Sequence, residues 1–217
     1  MLGLMEKDLR LTLCRKQTLV IFFVMALLMG ISMDGAFIVG YLTMLATIMS
    51  VGTISYDEFD NGYVFLMTLP FDRKTYIREK YLFSLIMSAA AWCVGAVLYC
   101  TGNLLRHNAI NLMDELPMVL AILPVLYLSA AIMIPLQFKY GAEKSRIVFS
   151  ILLGAIAVLL IGAKKYFNGS EHIIASLAKT LNEMSSVVML IILTALCSIL
   201  ALTSYLISIQ IMKKKEF

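Results

Sequence analysis

The feature that most constrains this chain is a set of long apolar stretches without a single charge. Val187 to Met212 contains no Asp, Glu, Lys or Arg, and neither does Gln17 to Met33, Ala36 to Ser55 or Leu116 to Phe138. Runs of this kind cross the ~30 Å hydrocarbon core of a bilayer as helices of about 20 residues, because a helix satisfies its own backbone where no water can. Barrel strands alternate apolar and polar residues with a period of two, and these runs do not. The chain is 61% hydrophobic and 15% charged, with a mean hydropathy of +0.89, a balance that leaves too little polar surface for a soluble domain of 217 residues. The expected fold is an all-α membrane protein forming a single transmembrane domain over residues 1–217.

Taken in order, the pattern predicts six spans. Residues 1–16 come first, with Leu2, Met5, Leu9 and Leu13 at helical spacing among Glu6, Lys7, Arg10, Arg15 and Lys16. They read as an amphipathic helix in the membrane interface. A signal peptide is the competing reading, but the acids in its leading segment and the missing small-residue cleavage site argue against it. Spans follow at about Gln17–Met33 and Ala36–Ser55, joined by a turn at Asp34-Gly35. A helix from Arg73 to Cys100 would be about 40 Å long, more than the hydrocarbon core, so its first turns are expected to protrude as a stalk. The fourth span, Leu116–Phe138, should bend at Pro124. A basic turn at 139–146 leads to a fifth span, Ile147–Ala163, and then to a loop at 164–185. Within that loop Ile173, Ile174, Leu177 and Leu181 share one face of a short amphipathic helix over 171–182. Val187–Met212 is the sixth span.

An even number of spans places both termini on one side. That side collects fourteen of the eighteen basic residues: Lys7, Arg10, Arg15, Lys16, Arg73, Lys74, Arg78, Lys80, Lys139, Lys144, Arg146, Lys213, Lys214 and Lys215. Excess Lys and Arg mark the cytoplasmic side, so both termini are expected in the cytoplasm and the 164–185 loop outside.

The longest polar interruption in the first half is residues 56–81. It carries five acids (Asp57, Glu58, Asp60, Asp72 and Glu79) and four bases (Arg73, Lys74, Arg78 and Lys80) around an apolar patch from Tyr63 to Leu69, closed by Pro70. Asp57, Glu58 and Asp60 are expected at the start of a short helix, where acids favour the helix dipole. Pro70 ends that helix, and Asp72 caps the next. Such a patch is either a docking surface for a soluble partner or an interfacial helix resting on lipid. In the second span Thr43, Thr47 and Ser50 fall on one face, which serves close packing or lines a polar path.

Several chemistries have no residues to carry them. There is no phosphate-binding glycine loop, no HExxH and no GxSxG, and the two histidines, His107 and His172, lie in loops. The four cysteines show no metal-site spacing. No charged residue stands near the middle of a predicted span, which argues against an ion-coupled carrier. A passive pore, a structural membrane subunit or a transporter powered by another polypeptide remain.

Glu58 after the second span, then Gly62, the apolar patch, Thr68-Leu69-Pro70, Arg73-Lys74 and Lys80-Tyr81 together resemble the small ABC-2 type transporter permeases of bacteria. Thr68 and Asp72 stand where serine is frequent in that family. The resemblance extends over nearly the whole chain and implies a half-transporter without a catalytic site of its own. Two permease copies, as a homo- or heterodimer, each dock a cytoplasmic ATP-binding subunit that supplies ATP and magnesium. By this likeness the loop between the second and third spans is the coupling helix. Gly62, Tyr63, Phe65, Leu66 and Leu69 are its contact patch, and Asp57, Glu58, Arg73 and Lys74 its charged surround. Residues 1–16 become the connector helix and 171–182 an external helical element, while Thr43, Thr47 and Ser50 are candidates for the substrate path. The implied location is the bacterial cell membrane. The implied activity is export of an amphipathic or hydrophobic substrate, a peptide by similarity to phenol-soluble-modulin exporters. A non-transporting anchor or assembly subunit is the alternative, and an intramembrane enzyme lacks its clustered Glu and His.

Overall fold

The computed structural model describes residues 1–32, 36–59, 62–68, 70–105, 112–167 and 185–214. Among these residues the structure is helical, with α1 (Leu2–Cys14), α2 (Lys16–Ser32), α3 (Phe37–Glu58), α4 (Gly62–Thr68), α5 (Arg73–Leu105), α6 (Leu112–Phe167) and α7 (Ser186–Lys214). Four of them, α3, α5, α6 and α7, are long and apolar enough to cross a membrane. A fifth span is counted if α1 and α2, bent by 69° at their junction, form one.

Helices in lipid gain little from hiding apolar side chains, so close backbone approach and buried polar contacts hold them together. Gly95 shows this between α5 and α3: a Cβ there would stand 2.9 Å from the Val39 Cα. Around that approach Ala26, Ile38, Val39 and Tyr99 form a small core. A larger core lies toward the other end. It gathers Leu4 of α1, Val51 and Ile54 of α3, Tyr63 and Leu66 of α4, Tyr76, Ile77 and Tyr81 of α5, Ala130, Ile134 and Phe138 of α6 and Met212 of α7. Between α5 and α7, the Tyr81 hydroxyl meets those of Ser204 at 2.7 Å and Ser208 at 2.8 Å, and Ser204 donates onward to the Ala131 carbonyl of α6.

Several expectations are corrected. Asp57 and Glu58 do not begin the short helix; they end α3, which runs past Ser55 to Glu58, and α4 starts afresh at Gly62. In the first turns of α5 Lys74 and Arg78 are exposed, but Lys80, expected among the exposed bases, is buried with Tyr76, Ile77 and Glu79. Asp72 does hold the position before α5, its carbonyl accepting from Thr75 at 2.9 Å and Tyr76 at 3.1 Å. The expected turn at 139–146 is a break at a single residue, Gly141, at φ 80° and ψ 174°, with helix on either side. Pro117, Pro124 and Pro135 lie inside α6, and its one non-helical residue among those described is Gly141. The turn at Asp34-Gly35, Asp60, both histidines and the helix expected over 171–182 lie outside the described residues.

Candidate functional site

A carboxylate at the last turn of a helix faces the negative end of the helix dipole and needs compensation. Asp57 sits there, at the end of α3, and is 5% exposed. Two cations hold it: Lys7 of α1 at 2.5 Å from Oδ1 and Lys80 of α5 at 2.7 Å from Oδ2. The Tyr76 hydroxyl donates to Oδ2 at 2.7 Å. Asp8, wholly buried on α1, also pairs with Lys80, lies 3.2 Å from the Lys7 ammonium and accepts from the Thr53 hydroxyl at 3.1 Å. This quartet of two acids and two bases ties α1, α3 and α5 together, and a third acid, Glu79 of α5, is buried in the same electrostatic cluster without a hydrogen-bond partner among the described residues. Buried ions are tolerated only when paired and hydrogen-bonded, and the quartet meets that condition.

Helix α4 is seated against the quartet. A Cβ on Gly62 would lie 2.7 Å from the Asp57 carbonyl oxygen, so only glycine lets α4 start so close to the end of α3. Tyr63 and Leu66 point inward, at 5% and 7% exposure. The Tyr63 ring packs edge-on to Tyr76 at 6.1 Å, and Tyr76 in turn lies 6.0 Å from the Phe138 ring. Burial raises the Tyr63 phenol above the ordinary tyrosine range; Tyr76 opposes the rise, while Asp57 and Glu58 add to it. Phe65, on the opposite face, is 68% exposed.

The rest of the charged surround divides. Glu58 reaches α6: its Oε2 accepts from the Ala142 backbone N–H at 2.6 Å, placing an anion on the first donor after the break. A Cβ on Gly141 would meet Glu58 Oε1 at 2.6 Å. Arg73 caps the end of α7 through the Met212 carbonyl at 2.9 Å. Lys74 is exposed, and Leu69 lies outside the described residues.

The sequence profile of a family described as ABC-2 family transporter protein matches residues 3–213. The chain belongs to the ABC-2 transporter family. No curated protein and no solved structure matches it. As an ABC-2 permease it is a multi-pass membrane subunit of a transporter.

Thr43, Thr47 and Ser50 of this ABC-2 permease are buried within the chain, and each hydroxyl donates to a carbonyl of its own helix: Val39 at 2.7 Å, Thr43 at 2.7 Å and Thr47 at 2.8 Å. Such back-bonding satisfies a hydroxyl without a partner helix. The sequence reading missed Lys7, Asp8, Thr53, Tyr76 and Lys80 as one site. One signal was available. Leu4, Asp8 and Thr12 recur every four residues on α1 and form its inward face, whereas Leu2, Leu9 and Leu13 are exposed. A lone acid amid an inward stripe calls for a cation, but nothing in the sequence names Lys80, 72 residues away.

Proposed function

We propose that this permease is the membrane half of an ATP-driven exporter and that α4 is the element a cytoplasmic ATP-binding subunit grips. One observation carries the reading: α4 presents Phe65 outward while Tyr63 and Leu66 lock its other face into the core beside the ion quartet. An exposed aromatic on a short, well-anchored helix suits a partner's pocket. Force on α4 then passes through Tyr63 and Tyr76 to Asp57, and so to α1, α3 and α5. ATP binding and hydrolysis move the permease only as far as the ATPase states differ in their contacts with it.

In this proposal the chain crosses the membrane six times with both termini in the bacterial cytoplasm. The apolar stretch Leu116–Leu159 has 44 residues and, at ~1.5 Å each, would be about 66 Å long, twice the ~30 Å core, so we divide it into two spans at Gly141. Helix α2, at 17 residues, supplies the first. Arg73 joins the start of α5 to the end of α7, Lys7 joins α1 to α3, and Lys80 joins α5 to α1. One end of the bundle therefore collects Lys7, Arg73, Lys74, Arg78, Lys213 and Lys214, which supports a cytoplasmic assignment. Two copies form the transport unit, and the cargo is an amphipathic or hydrophobic substrate such as a peptide. Thr43, Thr47 and Ser50 line its path only in a state that draws α3 away from its neighbours.

Co-expression with the neighbouring ATP-binding protein tests the reading. Wild type should co-purify with it and change its ATPase rate; Phe65→Asp should abolish assembly or coupling without altering the permease's own elution. If Phe65→Asp assembles and couples as wild type does, α4 is only an interfacial helix. Assembly without any effect on ATPase rate indicates the alternative, a non-transporting anchor.

A further inference from the structure

Between α5, α6 and α7 runs a trough of about 850 Å³, walled by Leu82, Leu85, Trp92, Leu123 and Leu202. Its polar groups are turned away from it. The Trp92 Nε1 donates to the Val119 carbonyl at 2.8 Å, the Tyr127 hydroxyl to the Tyr81 carbonyl at 3.4 Å, and the Thr194 and Ser198 hydroxyls to the Ile191 and Thr194 carbonyls at 2.9 and 2.7 Å. The Tyr81 hydroxyl is shared between Ser204 and Ser208. What remains is an apolar channel open to the lipid-facing side of the bundle. Two lining groups differ: the Tyr205 hydroxyl makes no hydrogen bond with a described residue, and Arg78, at the basic end, is exposed and makes no hydrogen bond or ion pair with one.

We propose that this trough binds one anionic phospholipid, its acyl chain lying along α5 from Leu82 to Trp92 and its phosphate on Arg78. The distance fits: Leu82 and Trp92 are 10 residues apart on one helix, about 15 Å at ~1.5 Å per residue, which is half the ~30 Å hydrocarbon core, and Arg78 stands one turn beyond Leu82. The charge fits as well. A guanidinium forms paired hydrogen bonds with a phosphate and gains from doing so at the edge of a low-dielectric region. An extended peptide is the poorer occupant, because its backbone N–H and C=O groups would find no partners on these walls. A helix from a second copy satisfies its own backbone but must bring an acid for Arg78. At this end Asp8 and Asp57 are buried and paired and Glu6 is engaged by Arg10, which leaves the exposed Asp72 and Glu143, and a second copy bringing one of these is an outcome of the test below. The proposal does not depend on α4 or on an ATPase.

Trp92 is the chain's single tryptophan, so the unmodified protein reports on its own trough. Purified permease is reconstituted in phosphatidylcholine vesicles containing equal mole fractions of a brominated-chain lipid, either phosphatidylglycerol or phosphatidylcholine, and quenching of Trp92 is measured. Wild type should bind the anionic lipid about tenfold more tightly than the zwitterionic one, the scale of one charge-assisted contact. Arg78→Gln should erase that preference, while Arg78→Lys, which keeps the charge but not the paired hydrogen bonds, should retain part of it. Lys213→Gln, a basic residue at the same end but outside the trough, should leave it unchanged. Equal quenching by the two lipids in wild type overturns the proposal, as does a preference that survives Arg78→Gln. Protection of Trp92 from both lipids as protein density rises also overturns it and assigns the trough to a second copy.

Discussion

The phenol of Tyr76 donates to Asp57 Oδ2 at 2.7 Å, and Lys80 holds the same oxygen at 2.7 Å. One carboxylate oxygen at the end of α3 is therefore shared by a neutral donor that packs against α4 and a cation that also pairs with α1. Any shift of α4 that moves Tyr63 against Tyr76 reaches the α3 terminus through a single atom.

Removing that hydroxyl isolates the link from the packing. Tyr76→Phe keeps the ring contacts with Tyr63 and Phe138 and loses only the donor. A hydrogen bond to a charged acceptor contributes about 1.5–3 kcal/mol. The expected outcome is a modest fall in thermal stability in detergent, with assembly on the ATP-binding protein retained and its coupled ATPase rate reduced. Equal loss of assembly and rate would place the effect in folding.

The quartet itself should respond as a unit. Lys80→Met leaves Asp8 without the cation paired to its Oδ2, and breaking one partner of a buried pair costs about 3–5 kcal/mol. Asp8→Asn should cost a comparable amount. Combined, the two substitutions should cost clearly less than their sum, because each removes the charge that the other strands. Thermal unfolding of the single variants and the double variant, compared as a cycle, measures the coupling; strict additivity would mean that the two side chains act independently.

The contrast between what the sequence revealed and what it hid follows from range. Helical elements follow from continuous apolar runs, and α4 follows from Pro70 and the Tyr63–Leu69 patch, all of which are local. The family resemblance also rested on the local run from Glu58 to Tyr81, and the family match bears it out. Partners across the bundle are not local. Asp57 reads as the start of a short helix and Lys80 as part of a protruding stalk, and only packing shows them buried against α1. The break in α6 falls inside the expected turn at 139–146, but what packs on it was not local either. A proline has a fixed local cost, whereas Gly141 matters because Glu58 comes to it from 83 positions away in the chain, as the Ala142 contact shows.

That contact makes Gly141 testable. Its φ of 80° with ψ of 174° lies in a region reserved for glycine, and a non-glycine residue held there costs on the order of 1–3 kcal/mol. Gly141→Ala adds a Cβ at 2.6 Å from Glu58 Oε1, which pushes the carboxylate off the Ala142 N–H. The variant should lose stability by the strain and by the displaced bond together. Glu58→Ala alone loses the bond. In the double variant the clash is gone and only the strain remains to be added, so the combined loss should fall short of the sum of the singles in a thermal-unfolding cycle.

Two glycines close to each other in space should give opposite results. At Gly95 a Cβ meets the Val39 Cα at 2.9 Å, a backbone atom that cannot rotate aside, so Gly95→Ala must force α5 and α3 apart. Overpacking of this kind costs about 1–3 kcal/mol. Gly40 follows Val39 on α3, yet a Cβ there meets nothing within 4 Å. Gly40→Ala should therefore be neutral or stabilising by up to about 1 kcal/mol, the difference in helix propensity between the two residues. Thermal unfolding of the two variants in the same detergent decides whether the α3–α5 approach is as close as the structure has it: a Gly95→Ala variant as stable as wild type means that the helices stand farther apart in the membrane, and a destabilised Gly40→Ala means that something else packs on that face.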